Sequence, residues 1–339
     1  MEVLSTSLYF PSHRVTRLDE EETTEPVNWR PVVCWILVVP FAVWAFSRTI
    51  GIERGFPFVQ IMAYTPYALV LSLLVLLAVV LLRQWLPFLL GLAAVIALAI
   101  AVVPRELGGP DEVTGGKEIQ VLSFNLLRSR ADFAELLELA RIREADVITL
   151  QEFSPEGLAE IEGLGVSRRY PYSVHATREE AGGGAIYSRF PLRRVPAPDT
   201  GFRQPRALVL PPGSVPFEVM SVHPMAPAGP KTTTTWSQEI IKLPKADDPG
   251  PPRILAGDFN STLDHEKLRD LIETGYRDAG DTMGLGLIST WPSTIKWPLP
   301  VTIDHVLVED PVKITGYDIE AISGSDHRAV LADLVLPDS

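Results

Sequence analysis

Cysteine is almost absent from this 339-residue chain, with Cys34 the only one. No disulfide can close within the chain and no thiolate cluster can hold a metal, so the fold owes nothing to oxidation and the compartment stays open on this ground. Charge is absent from three long stretches. Residues 32–46, 58–82 and 86–103 contain no Asp, Glu, Lys or Arg. A crossing of the hydrocarbon core takes about 20 apolar residues. The second run is ample, the third reaches that length once Trp85 is added, and the first is the shortest. About three transmembrane helices are therefore expected over residues 29–103. Trp29, Trp35, Trp44, Tyr64, Tyr67 and Trp85 include several near the run ends, where amphipathic rings favour the membrane interface.

A basic leader is missing as well. Residues 1–28 carry Asp19, Glu20, Glu21, Glu22 and Glu25, which is too long and acidic for the n-region of a cleaved signal peptide. This stretch reads as a disordered acidic tail. A basic excess is missing from the rest. Of the chain's 30 basic and 42 acidic side chains, residues 1–103 hold 6 and 7, which leaves residues 104–339 with 24 and 35 and a net charge of −11. Phosphate neutralisation dominates the grip on long nucleic acid, and this balance leans away from it. Orientation is not decided by charge. Arg14, Arg17, Arg30 and Arg83 on one side tie with Arg48, Arg54, Arg105 and Lys117 on the other. An odd number of crossings puts the C-terminal domain opposite the N-terminus.

What is present begins after a linker. Residues 104–117, rich in Gly and Pro with Asp111 and Glu112, read as an exposed tether. A domain over residues 118–339 follows. Short apolar strands are expected at residues 119–124, 147–150, 184–187, 207–210, 217–222, 254–256, 302–308 and 329–334. Phe133, Leu136, Leu137 and Ala140 repeat at helical spacing, as do Leu268, Leu271 and Ile272, and residues 235–243 suit a further helix. Thr232–Thr235 reads as a loop before it. Many strands with fewer helices predict an α+β fold, two sheets packed face to face with helices outside.

Polar residues sit at the ends of these apolar runs. Asn125 closes VLSFN, Glu152 closes VITLQE and His223 closes VMSVH, while Asp258 and Asn260 lie in ILAGDFN and Asp326–His327 in GSDH. Glu152 at a strand mouth suits Mg²⁺, which takes one or two protein carboxylates and keeps waters for substrate to displace. The Asn125 amide oxygen can ligate a hard cation, or its NH₂ can hold a phosphoryl oxygen. Asp258 beside Asn260 divides the work between orienting a water and steadying a phosphoryl group. His327 titrates near neutrality and suits a base, best with a carboxylate fixing its tautomer, for which Asp304 in VTIDHVLV is the candidate. His305 alternates to the opposite face and reads as structural. His223 follows a strand and can donate to phosphate. Arg206 in RALV is a candidate phosphate contact, since a guanidinium matches a phosphoryl group. The run Gly182–Gly184 lacks a GK[ST] ending and reads as a turn into a strand.

Taken in order, SFN, LQE, GGAIYSRFPL, SVH, GDFN, IDHVLV and SDH resemble the endonuclease/exonuclease/phosphatase superfamily of DNase I-like phosphoesterases, over about residues 119–336. The membrane segment and the stretch at residues 290–308 resemble a membrane-anchored bacterial branch. The resemblance implies a four-layer α/β/β/α sandwich, Mg²⁺ or Mn²⁺, and in-line attack of water on a phosphoester. Glu152 and Asn125 would then bind metal with Asp326 contributing. Asp258 and Asn260 would orient nucleophile and phosphate, His327 with Asp304 would be base or stabiliser, and His223 would support the phosphate. It also implies a multi-pass bacterial membrane protein with its catalytic domain outside the cytoplasm. Where nuclease branches carry polar residues soon after the first Asn, this chain has Leu126 and Leu127, which weakens a DNA-repair reading. The substrates in view are a lipid head group, a small phosphoester or nucleic acid. The bilayer is the other expected partner, and no motif points to a protein. A catalytically inactive tethered module is the remaining alternative, against which the intact set of acid, amide and imidazole groups argues.

Overall fold

The computed structural model describes residues 28–53, 55–294 and 298–338. The expected acidic tail falls almost wholly on residues outside these. Four helices come first: α1 (Trp29–Thr49), α2 (Phe58–Met62), α3 (Thr65–Leu81) and α4 (Trp85–Val102). Of these, α1 and the stretch Trp85–Glu106 are long and apolar enough to cross a membrane, and α3 is a shorter apolar helix. The ranking of the apolar runs thus differs from expectation. The shortest charge-free run belongs to a 21-residue helix, while the longest is broken into α2 and α3. Pro66 explains the break, because in an unbroken helix its ring would meet the carbonyl of Met62, whereas proline is well placed in a first turn.

The three long helices form an up-down-up bundle, with α3 antiparallel to α1 and α4. Cys34, Val38 and Val79 pack at one end, and Ala45, Ala68, Leu98 and Val102 at the other. The outward faces stay apolar: Val32, Ile36, Phe46, Leu74, Leu81 and Leu89 are all exposed.

The rest of the chain forms strands β1 (Lys117–Asn125), β2 (Val147–Gln151), β3 (Tyr172–Ala176), β4 (Gly184–Ser188), β5 (Leu192–Val195), β6 (Arg206–Val209), β7 (Phe217–Val222), β8 (Arg253–Asp258), β9 (Tyr276–Asp278), β10 (Asp304–Glu309), β11 (Lys313–Ala321) and β12 (Arg328–Leu336). Between them lie helices α5 (Phe133–Ile142), α6 (Pro155–Gly163), α7 (Pro230–Ile241), α8 (Glu266–Ile272) and α9 (Ala279–Thr282). One sheet runs β11-β12-β1-β2-β4-β3 and the other β5-β6-β7-β8-β10-β9. Alternation along each strand sends one set of side chains between the sheets, among them Val121, Ile186, Val219, Ala256, Val306 and Val330. The opposite set receives helices. Leu122 and Leu150 meet Leu136 and Ile161 of α5 and α6, while Met220 and Leu255 meet Trp236 and Leu268 of α7 and α8. The result is the four-layer α/β/β/α sandwich.

Two local expectations are corrected. Residues 232–235 are helical, not loop. The helix α7 starts at Pro230, where Thr232 Oγ accepts the Gly229 N–H at 2.9 Å. Residues 104–117 are mostly exposed, as expected, but they are docked on the domain and not a loose tether. Arg105 is 5% exposed. Gly109 N–H donates to Thr282 O, and Asp111 accepts from Arg277 and from the Ile314 N–H at 2.7 and 2.8 Å. Polar groups along this strap find partners on the sandwich, so it lies bound to the domain.

Candidate active site

Strand direction gathers the site. The pairs β1–β2 and β7–β8 are parallel, so their C-terminal ends lie at one end of the sandwich, and β10 and β12, antiparallel to β8 and β1, begin there. Asn125 ends β1, Glu152 follows β2, His223 follows β7 and Asp258 ends β8. Asp304 opens β10 directly opposite Asp258, and Asp326–His327 lead into β12. Six strands thus deliver the acid, amide and imidazole groups to one place.

The contacts converge on Asp258. Its Oδ2 accepts from Asn125 Nδ2 at 3.0 Å and lies 3.6 Å from His223 Nε2 and 3.7 Å from His327 Nε2. Asn125 Nδ2 also reaches Glu152 Oε1 at 3.3 Å, while its Oδ1 accepts the Leu127 N–H at 3.0 Å. Asn125 therefore enters the site through its NH₂ and holds two carboxylates together. On the far side of His327, Nδ1–H donates to Asp304 at 3.0 Å, and Asp304 N–H is held by Thr290 Oγ at 3.1 Å. Asn260 N–H donates to Asp258 Oδ1 at 2.8 Å and its amide to Pro224 O at 3.1 Å. Gln204 Oε1 accepts the His223 N–H at 2.9 Å.

Backbone strain accumulates here. Glu152 and Asn260 have φ of 57° and 49°, and Leu127, Arg128 and Ser129 follow one another at 47°, 56° and 58°. Left-handed non-glycine residues are costly and persist where surroundings over-determine them. In this loop the curvature turns the Arg128 N–H onto Glu152 Oε2 at 2.9 Å and the Ser129 hydroxyl onto Glu152 O at 3.2 Å, which fixes the carboxylate's orientation.

Electrostatics follow from burial. Burial pulls the His223 imidazole down to about 3, with the charge of His327 adding to the effect, so His223 is neutral. Burial raises the Asp258 carboxyl. Burial alone would lower His327, but Asp304 and Asp258 overcome it and raise the imidazole above its ordinary value. Both shifts favour retaining a proton between Asp258 and His327, as expected where carboxylates crowd one pocket.

The same crowding suits a cation. Glu152, Asp258 and Asp326 line one cavity of about 550 Å³. Asp326 Oδ2 accepts from Trp291 Nε1 at 3.0 Å, while its Oδ1 is buried without a hydrogen-bond partner among the described residues. An orphan carboxylate oxygen and a fixed Glu152 are the hard donors that Mg²⁺ or Mn²⁺ takes. Asp258, Asp304 and His327 also bring donor atoms within 4.8 Å of one another. There Asp304 faces His327 Nδ1, so these three read better as a proton-handling group than as a cage.

One expected residue is not brought in. Arg206 pairs with Glu218 on the outer face of its sheet and does not line the cavity, because Glu218, one strand over, claims its guanidinium. His305 turns away from the cavity to Asp278 and to the Ser261 carbonyl, both at 2.8 Å. Arg128, Trp291, Gln60 and Tyr64 also line the cavity, though none is an expected site residue. Arg128 lies three positions after Asn125, while Gln60 carries no local signal and Tyr64 signals only the membrane interface.

A sandwich of this topology with acids, amides and imidazoles at its strand ends defines a metal-dependent phosphoester hydrolase. The model of the Endonuclease/Exonuclease/phosphatase family matches residues 122–327, and the chain belongs to that family. No curated protein sequence matches it. Among solved structures it is similar to an endonuclease/exonuclease/phosphatase from Beutenbergia cavernae DSM 12333, at 17% identity and TM-score 0.52 over 65% of this chain and 72% of that one. It is also similar to the 3' phosphatase NExo from Neisseria bound to a product DNA hairpin, at 16% identity and TM-score 0.51 over 63% and 98%. An AP endonuclease from Archaeoglobus fulgidus gives 13% identity and TM-score 0.51 over 63% and 98%. At these identities the likeness is one of fold.

Proposed function

We propose that this protein is a membrane-anchored phosphoesterase that cleaves a P–O bond of a phosphodiester or phosphomonoester by in-line attack of water. The observation that carries the reading is the convergence of His327, held by Asp304, with Asp258, Asn125 and Glu152 in one cleft. Glu152, with Asp326 and Asn125 as further donors, would hold Mg²⁺ or Mn²⁺, which supplies charge neutralisation on phosphoryl oxygens. An Asn125 oxygen ligand requires its amide to turn from the orientation described above. Asp258 and Asn260 orient the attacking water. His327 takes the water's proton through Nε2 when the proton shared by the pair rests on Asp258, because Asp304 fixes the other imidazole proton on Nδ1. His223, neutral and buried, donates to the phosphoryl group, and Arg128 is the cation at the rim.

Membrane anchoring is supported by the helices themselves. Their outward faces expose large apolar side chains along the helices' length, such as Val32, Ile36, Phe46, Leu74, Leu81 and Leu89, and a contiguous apolar surface of this kind marks an interaction or membrane site. At 17 residues, α3 rises about 26 Å, slightly under the roughly 30 Å hydrocarbon core, so it is read as the third crossing. Three crossings put the catalytic domain opposite the N-terminus. Arg48 and Arg105 are engaged by Asp264, whereas Arg30 and Arg83 are exposed at the other end. With a cytoplasmic N-terminus, as the family resemblance implies, three crossings would place the catalytic domain outside the cytoplasm.

The test uses the full chain in detergent micelles with bis(p-nitrophenyl) phosphate and p-nitrophenyl phosphate. Turnover should require added Mg²⁺ or Mn²⁺ and stop reversibly with EDTA. Asp258→Ala and His327→Ala should each lose about three orders of magnitude or more. Full rates in EDTA would remove the cation from the mechanism, and wild-type rates in both variants would overturn the site. Efficient, strongly salt-sensitive cutting of plasmid DNA in preference to these esters would point to a nuclease instead.

A further inference from the structure

The cleft has a wall that the sandwich does not supply. Gln60, Ala63 and Tyr64 line the same cavity as Glu152, Asp258 and His327. They belong to the connection between α1 and α3, and Tyr64 directly precedes the first turn of α3.

This wall is fastened in place. His265 Nε2–H donates to Val59 O at 2.9 Å. Gln60 Nε2 donates to Pro227 O and to Thr233 Oγ, the latter at 3.0 Å, and the Tyr67 hydroxyl donates to Pro300 O at 2.8 Å. Val59 is buried with Trp236 and Leu268 in the outer core of the second sheet. The opposite side of the segment exposes Phe56, Phe58 and Ile61, which suits the boundary between bilayer and water.

The remaining lining points the same way. Phe202, Met225, Trp291, Val301 and Ile303 are apolar, and Arg128 and Arg130 are the only Lys or Arg on the lining among the described residues. A strand of nucleic acid needs a run of cations along its backbone. This cavity instead has a charged floor and greasy walls, one of which continues into a helix with an exposed apolar face.

We propose that the α1–α3 connection is the substrate-selecting wall, and that the substrate is a phosphoester carrying an apolar chain. Its phosphate lies at Asp258 and His327, and its chain runs past Ala63 and Tyr64 toward the bilayer. The proposal rests on the phosphoesterase reading above.

The experiment uses the full chain with p-nitrophenyl alkyl phosphodiesters and the matching alkyl phosphate monoesters, methyl through octyl, below their micelle-forming concentrations. With Mg²⁺ or Mn²⁺ present, kcat/KM should rise about tenfold or more from methyl to octyl, since each methylene taken out of water adds to binding. In Tyr64→Ala, and in Ala63→Asn as a second variant, the octyl-to-methyl ratio should fall toward one. A flat chain-length response with measurable methyl ester turnover would overturn the inference and leave the phosphoesterase reading standing. An octyl preference retained in both variants would overturn the assignment of selection to this wall. Failure to cleave any ester of the series would bring down both.

Discussion

His327 is useful to the chemistry only in one tautomer, and Asp304 sets it. The 3.0 Å bond to Nδ1 keeps Nε2 facing Asp258, and Thr290 Oγ fixes the backbone from which Asp304 projects. Asp304→Asn keeps the shape but removes the charge, so kcat on bis(p-nitrophenyl) phosphate should fall about two to four orders of magnitude. Circular dichroism should be unchanged, and a loss smaller than threefold would exclude Asp304 from the mechanism. At this scale most of the site was legible, because each contributing residue ends or opens an apolar run and so stands at a strand terminus. Arg206 shows the limit. Its sequence neighbourhood looks like a phosphate contact, but its partner Glu218 comes from the next strand, and no local pattern announces that pairing. Gln60 and Tyr64 show the opposite failure, since their place in the cleft follows only from the docking of a distant segment.

Strands were legible in proportion to their burial. The eight expected strands correspond to interior positions of the two sheets. The four that the sequence hides, β3, β5, β9 and β11, are the four sheet edges. Edge strands are commonly short, or half-exposed and interrupted by polar residues, which protects them from pairing with other chains and erases the apolar run that would mark them. Exposed Arg193 and Arg194 in β5 and the largely unburied β3 and β11 follow this, while β9, three residues long, is too short to leave a run. Interior strands leave the tighter constraint at Gly257. Added there, a Cβ would lie 2.0 Å from the Val222 carbonyl on the neighbouring strand. That contact joins β7 and β8 one residue before each delivers its catalytic group, His223 and Asp258. Gly257→Ala should force the strands apart, lowering stability by about 1–3 kcal/mol and kcat by tenfold or more. Thermal unfolding and steady-state rates on the same sample check this. An unchanged kcat would show that the His223–Asp258 distance of 3.6 Å does not depend on this close approach.

At the scale of the whole molecule, the helical bundle and the sandwich are joined through Asp264. This side chain is fully buried and receives Arg48 from the end of α1 at 2.6 Å, and Arg105 from beyond α4 at 2.6 and 2.9 Å. Arg269 adds a bond to the Arg48 carbonyl at 2.9 Å. In the sequence Arg48 and Arg105 register only as juxtamembrane cations, because their partner lies more than 150 positions away. Removing one member of a buried ionic group leaves the others uncompensated, so Asp264→Ala should cost about 3–5 kcal/mol. Replacing all three with apolar residues, Arg48→Met, Arg105→Met and Asp264→Leu together, should restore much of that loss. Burial works to raise the Asp264 carboxyl, but the charges of Arg105 and Arg48 and their hydrogen bonds hold it below its ordinary value. A depressed carboxyl contributes stability that is complete above about pH 4, its unfolded value, and is lost as pH falls through the folded one. Acid titration of thermal stability in detergent micelles should therefore show a steeper decline below pH 4 in the wild type than in the triple variant. Equal slopes would mean that Asp264 does not link bundle and sandwich energetically. A triple variant as unstable as Asp264→Ala would mean that packing at this joint, and not its charge pairing, holds the two parts together.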